Sequence, residues 1–127
     1  MMRILLVDDS ADLLDIYSLL LEREGFSVTC ASDGEEALAW LVSGMRPDLI
    51  LTDVSMPRMD GLELCRRLHL NERLRDIPVL VHSSDSGVRT PYGEVYIRKA
   101  CELSELLDLI QRLTSGIRGQ PQLASVA

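Results

Sequence analysis

Nowhere in this sequence do uncharged residues run far enough to cross a membrane, so a spanning segment is excluded and no membrane partner is expected. Only Arg3 precedes the first apolar run, Ile4-Leu5-Leu6-Val7, which is too short for the core of a secretory leader. A cytoplasmic location follows as the default expectation. There are three cysteines, Cys30, Cys65 and Cys101. An odd number, widely spaced and without a Cys-x-x-Cys pair, reads as small buried hydrophobes rather than disulfides or zinc ligands. Basic residues are also scarce relative to acidic ones. A net charge of −7 leaves no basic face for phosphates, so direct nucleic-acid binding is not expected. Internal repeats and low-complexity segments are missing as well. The hydrophobic share of 46% is too high for disorder, and 127 residues make one domain with its own core.

Apolar runs alternate with helical patterns, which points to successive βα units around a parallel sheet. The strands are read as 3–7, 26–30, 48–52, 77–82 and 95–97. Leu13, Leu14, Tyr17, Leu20 and Leu21 recur at helical spacing over 11–24, with Ser10 as N-cap and Gly25 as the stop. Asp33 caps a second helix, with Glu36 completing a capping-box-like pattern, and that helix stops near Gly44. A third spans 61–70. The last, 102–113, sets Leu103, Leu106, Leu107, Ile110 and Leu113 on one stripe. Between Ser84 and Glu94 the rhythm breaks. Gly87, Pro91 and Gly93 leave no room for a helix of ordinary length, so a loop is expected there. The domain is read as 1–115 and a mobile tail as 116–127.

Polar residues stand at successive strand ends: Asp8 and Asp9, Asp53, Ser83 and Lys99. Open α/β sheets do their chemistry at that end. Three crowded carboxylates repel unless a cation or proton intervenes, and the natural occupant is a hard divalent ion such as Mg²⁺. A carboxylate can attack phosphorus to form an acyl phosphate, with a lysine and a hydroxyl binding phosphoryl oxygens. Blander readings stand beside this one. Asp60-Gly61 reads as a turn and helix start rather than a metal site. His82 points to the face opposite Ser83 and is expected to pack under the altered loop. Trp40 reads as a surface-edge packing residue.

These residues resemble the receiver domain of two-component response regulators, over roughly residues 2–113. The resemblance rests on Asp8-Asp9, on Asp53 within Leu51-Thr52-Asp53-Val54-Ser55-Met56-Pro57-Arg58-Met59-Asp60-Gly61, on Ser83, and on Lys99 with Tyr96 three residues earlier. It implies a flavodoxin-like, doubly wound sheet of five parallel strands in the order 2-1-3-4-5, here with the fourth helix shortened or replaced by a loop. It also implies a signalling receiver rather than an enzyme. Asp53 would accept a phosphoryl group from a sensor histidine kinase or phosphotransfer protein. Mg²⁺ would be held by Asp9, Asp53 and the Ser55 carbonyl, with Asp8 acting through water. Ser83 and Lys99 would bind phosphoryl oxygens, and Ser83 and Tyr96 would act as the switch. Output would pass through contacts with an unnamed protein, and a homodimer is compatible with the resemblance.

Two departures accompany it. Ala100 stands where the family has proline, so Lys99 reaches the site through either a cis or a trans bond. The interval from Ser83 to Lys99 is also short, which removes the helix the family uses for output. A degenerate receiver serving as a phosphorylation-independent scaffold is therefore the alternative. An aspartate-nucleophile phosphohydrolase fits less well, because Ser55 stands where such enzymes commonly carry a second aspartate. A nucleotide or flavin binder fits poorly, since the loop after the first strand is acidic and lacks glycine. No effector domain fits in the tail, which leaves a stand-alone receiver or a piece of something longer.

Overall fold

The computed structural model describes residues 2–115 of the chain. Five strands, β1 (Arg3–Val7), β2 (Ser27–Ala31), β3 (Leu49–Thr52), β4 (Val79–Ser83) and β5 (Val95–Arg98), form one sheet in the order β2-β1-β3-β4-β5. Every neighbouring pair is parallel. The helices are α1 (Ala11–Arg23), α2 (Gly34–Val42), α3 (Gly61–His69) and α4 (Leu103–Ser115). This is the doubly wound, flavodoxin-like arrangement expected, with strand limits displaced by a residue or two. The expected tail, 116–127, lies outside the described residues.

The central strands β1, β3 and β4 are buried at every position but Arg3, and mostly apolar, because both faces are covered. Alternate side chains divide between two cores. Leu5, Val7, Ile50 and Val81 face the layer of α2 and α3. Ile4, Leu6, Leu51 and Leu80 face that of α1 and α4. Helix starts are set by side-chain caps: Ser10, Asp33 and Asp60 each accept a backbone N–H three residues on. The capping box at α2 is displaced by one residue, since Glu36 receives the N–H of Ser32 rather than that of Asp33. Gly25, at φ +95°, ends α1 in the left-handed conformation that glycine adopts without penalty.

No helix forms between β4 and β5. Residues 84–94 are bends and turns, with Val88 packed against the α2–α3 core. Tyr92 stacks on His69 at the end of α3, with ring centroids 3.7 Å apart and planes within 9°. The loop is thus tied to α3 in place of the missing helix. The cysteines are free, as expected, but only Cys65 is fully buried; Cys30 and Cys101 sit at the core margin. Trp40 is 42% exposed at the surface.

Candidate functional site

Three of the residues singled out from sequence are aimed by the sheet itself. Asp8, Asp53 and Lys99 each stand just beyond a strand, and each continues the ladder through its own N–H. Asp8 donates to the Ala31 carbonyl at 3.1 Å, Asp53 to that of Val7 at 2.8 Å, and Lys99 to that of Ser83 at 2.8 Å. The three side chains therefore inherit the alternation of Ile4-Leu6, Leu49-Leu51 and Val95-Ile97, and lean toward the α1–α4 face. Among the described residues there is no cis peptide bond, so the bond between Lys99 and Ala100 is trans. Ladder pairing with β4 supplies the inward aim of Lys99.

Carboxylate oxygens of Asp8, Asp9 and Asp53 lie within 4.8 Å of one another. Lys99 Nζ is 2.7 Å from Asp8 Oδ2 and 3.4 Å from Asp53 Oδ2. Ser10 N–H donates to Asp8 Oδ1 at 3.0 Å, and Val54 N–H to Asp53 Oδ1 at 2.7 Å. Asp8 thus has both oxygens engaged, whereas Asp9 is exposed and open to solvent. One ammonium among three carboxylates leaves a formal charge of two negatives, and all the donors are hard oxygens. This set fits a hydrated divalent cation entering from the Asp9 side. Burial raises the Asp53 carboxyl above the ordinary value; the Val54 N–H and Lys99 pull the other way, and Asp8 adds to the rise. Burial works against the charge of Lys99, but the bond to Asp8 and the proximity of Asp53 outweigh it and hold the ammonium above its usual range.

The other expected residues stand at the same sheet end, less directly engaged. Ser83 is the last residue of β4, with its side chain buried, and its hydroxyl accepts the Asp85 N–H at 3.1 Å. The Tyr96 hydroxyl donates to the carbonyl of that same Asp85. Ser55 is exposed in the loop two residues beyond Asp53. Asp60 caps α3 and is not in the carboxylate cluster.

Two features escaped the sequence reading. Gly61 lies so close under Asp53 that a Cβ there would meet the Asp53 carbonyl oxygen at 2.0 Å, and Gly61 N–H donates to the Val54 carbonyl at 2.8 Å. The loop carrying Asp53 is also clasped to the start of α2. Gly34 N–H donates to the Met59 carbonyl at 3.0 Å, and Arg58, at φ +65°, pairs with the buried carboxylate of Asp33. The Met-Pro-Arg-Met-Asp-Gly run announced a turn; it gave no sign of the partner.

His82 requires a correction. It packs on the α1 side, edge-on to Tyr17 with ring centroids 5.0 Å apart, and not under the 84–94 loop, which covers the other face. The ring is 3% exposed and its Nε2 has no hydrogen-bond partner among the described residues. Burial, reinforced by Lys99 and opposed by Asp8, lowers its pKa to about 4. An unfolded histidine, at about 6.5, takes up its proton first. Stability from this residue is therefore complete above about pH 6.5 and declines as pH falls toward 4. Between pH 7 and pH 4 the loss should be roughly 3 kcal/mol. In urea titrations over that range, His82→Leu should remove most of the decline; an unchanged slope would assign it to other groups.

Comparison with known proteins places this geometry in a family. A family model for the response regulator receiver domain matches residues 4–111. The chain is 34% identical over 135 residues to the DNA-binding dual master transcriptional regulator RpaA of Synechocystis, covering 98% of the chain and 54% of RpaA. It is 36% identical over 132 residues to the response regulator MprA of Mycobacterium avium, covering 99% of the chain and 57% of MprA. The chain thus spans about half the length of these curated relatives. Among solved structures, the signal receiver domain of a histidine kinase from Syntrophus aciditrophicus superposes with a TM-score of 0.83 at 33% identity, covering 98% of both chains. Response regulator TrrA of Thermotoga maritima, solved in complex with Mg²⁺-BeF, gives 0.80 at 29% identity, covering 89% of this chain and 99% of that one. The description of RpaA as DNA-binding corrects the scope of one expectation. The acidic charge describes this chain's own surface and does not exclude DNA from the working partners of longer relatives. No described helix is long and apolar enough to cross a membrane. The chain belongs to the response regulator receiver domain family.

Proposed function

We propose that the chain is a phosphorylation-controlled receiver in which Asp53 accepts a phosphoryl group from the phosphohistidine of a kinase or phosphotransfer protein. The observation that carries this reading is the carboxylate triad with one lysine reaching two of its members. An Asp53 carboxylate oxygen attacks phosphorus; an O–P bond forms, the N–P bond of the donor breaks, and the leaving imidazole keeps the electron pair and takes up a proton. Asp8, Asp9, Asp53 and the Ser55 carbonyl would hold Mg²⁺, with Asp8 acting through water. What the bound ion supplies is neutralisation of the triad and of the phosphoryl oxygens. Lys99 contributes a point charge already stationed 3.4 Å from Asp53 Oδ2. The Ser83 hydroxyl, at present occupied by Asp85 N–H, turns to a phosphoryl oxygen, and Tyr96 responds through the same loop residue.

Output passes through protein contacts, and cytoplasmic residence fits this partner set. The domain occupies 1–115. The test is Mg²⁺-dependent incorporation of phosphate from acetyl phosphate, with the label mapped by mass spectrometry. One base-labile, hydroxylamine-labile phosphate on Asp53 is the expected result. No incorporation with Mg²⁺ present, together with no response to beryllofluoride, would overturn the proposal in favour of a scaffold.

A further inference from the structure

The stretch 54–60 joins the proposed acceptor to α3, and its near end is pinned where the Val54 carbonyl accepts Gly61 N–H at 2.8 Å. Ser55 lies inside this stretch, exposed, and among the described residues none of its groups has a hydrogen-bond partner. Its carbonyl is therefore placed by the loop as a whole. At the far side, three contacts tie that loop to the start of α2. The Met59 carbonyl accepts Gly34 N–H at 3.0 Å, and the Met59 side chain is buried in the α2–α3 core. A Cβ at position 34 would meet the Met59 carbonyl oxygen at 2.7 Å, so loop and helix touch main chain to main chain. Arg58 pairs with Asp33, whose side chain is 1% exposed. The other oxygen of that carboxylate accepts Glu36 N–H at 2.8 Å and caps α2.

Arg58 stands at φ +65°, a left-handed conformation that suits glycine and is costly for other side chains. A residue so strained persists only where its surroundings over-determine it, and such residues gather at functional sites. Here the determining partner is a buried carboxylate, which would be left unpaired without the guanidinium. Glu35, exposed and 3.6 Å from Arg58 Nε, adds little. A turn needed only to reach α3 would be served better by glycine at this position.

We propose that Asp33 and Arg58 are positioning residues for the metal: their pair anchors loop 54–60 to α2 and so fixes the Ser55 carbonyl for Mg²⁺. The inference rests on the receiver reading given above and deepens it. Asp8 and Asp53 are aimed by their strands, and Asp9 adjoins Asp8. Ser55 is the proposed ligand that a loop alone presents. Partners that orient a ligand govern affinity, and losing one costs about 10–100-fold. Neither residue is itself a proposed ligand, so the lower end, about tenfold, is expected here. By linkage, the closed clasp and the bound ion favour each other by the same factor. The start of α2 thereby reports on occupancy of the site.

Mg²⁺ titrations of the full chain, read by the rate of labelling from acetyl phosphate and by hydrogen exchange of the Gly34 amide, decide the matter. Arg58→Gly suits the left-handed backbone, keeps Asp33 as cap, and should raise the half-saturating Mg²⁺ concentration about tenfold. The rate at saturating Mg²⁺ should be unchanged, a split that lost stability alone does not produce. Asp33→Asn retains a capping side chain and should do the same, and the double variant no more than either. In the unaltered chain, saturating Mg²⁺ should slow Gly34 exchange by up to about tenfold. Equal half-saturation in Arg58→Gly and the unaltered chain overturns the proposal and leaves the receiver reading standing. So do losses that add in the double variant. An unaltered chain with no Mg²⁺ dependence at all overturns the receiver reading, and this inference with it. Should Asp33→Asn fail to fold, Arg58→Gly settles the question alone.

Discussion

Asp53→Asn is expected to abolish labelling by acetyl phosphate completely and, at the same time, to raise the melting temperature measured without Mg²⁺. Loss of labelling follows from the chemistry, since a carboxamide oxygen does not form a stable acyl phosphate. The gain in stability follows from burial. Asp53 is 9% exposed, and its carboxyl binds a proton more tightly in the folded chain than when unfolded, chiefly because burial penalises the charged form. For a carboxylate raised in this way, stability is greatest with the proton on. It falls as pH rises from the ordinary value through the folded one, so the full cost is present at neutral pH. Asparagine removes that cost, and Lys99 retains its closer bond, 2.7 Å, to Asp8. Mg²⁺ should reverse the ranking, stabilising the unaltered chain more than the variant, because the ion binds a cluster that has lost one carboxylate. Thermal melts of both proteins with and without Mg²⁺ check every part. Labelling that persists would move the acceptor elsewhere; a lowered melting temperature would mean that the contact with Lys99 outweighs burial.

Gly61→Ala carries the second large effect, although Gly61 touches no phosphate and has an ordinary backbone conformation. Its added methyl would sit 2.0 Å from the Asp53 carbonyl oxygen and 3.1 Å from Val54 Cα, both main-chain atoms that no rotamer change can withdraw. Relief requires the start of α3 to move off the end of β3. Overpacking of this kind costs typically about 1–3 kcal/mol, and sometimes more. The shift also falls on the residue whose oxygens face Lys99 and the carboxylates of Asp8 and Asp9, so the proposed acceptor chemistry should fall further than stability alone explains. Urea unfolding and initial rates of acetyl-phosphate uptake would show it. Equal and small losses in both would mean that the loop accommodates the methyl.

The sequence made the sheet legible because its signals are local. Leu49-Ile50-Leu51 is apolar on both faces, and a turn-forming run follows Asp53. The same locality revealed the triad, since each acid closes an apolar run. What escaped was set by contacts distant in sequence. His82 was assigned the correct sheet face but the wrong neighbour, because its partner, Tyr17, is 65 positions away. The route of Lys99 was left open between two peptide geometries, and the answer lies in a ladder bond to Ser83 on another strand. The loss of a helix between β4 and β5 could be read from Gly87, Pro91 and Gly93. The stack of Tyr92 on His69 that anchors the replacement could not, since neither residue alone declares a partner.

Ser83 and Tyr96 both take hold of Asp85, the hydroxyl of one receiving its amide hydrogen and the hydroxyl of the other capping its carbonyl. Neither grip uses the carboxylate. Position 85 is therefore a junction whose letter in the alphabet is nearly irrelevant: most replacements would leave both handholds intact, and proline, which lacks the hydrogen, would sever the one to Ser83. Surveys that grade residues by their side chains alone would pass over the joint.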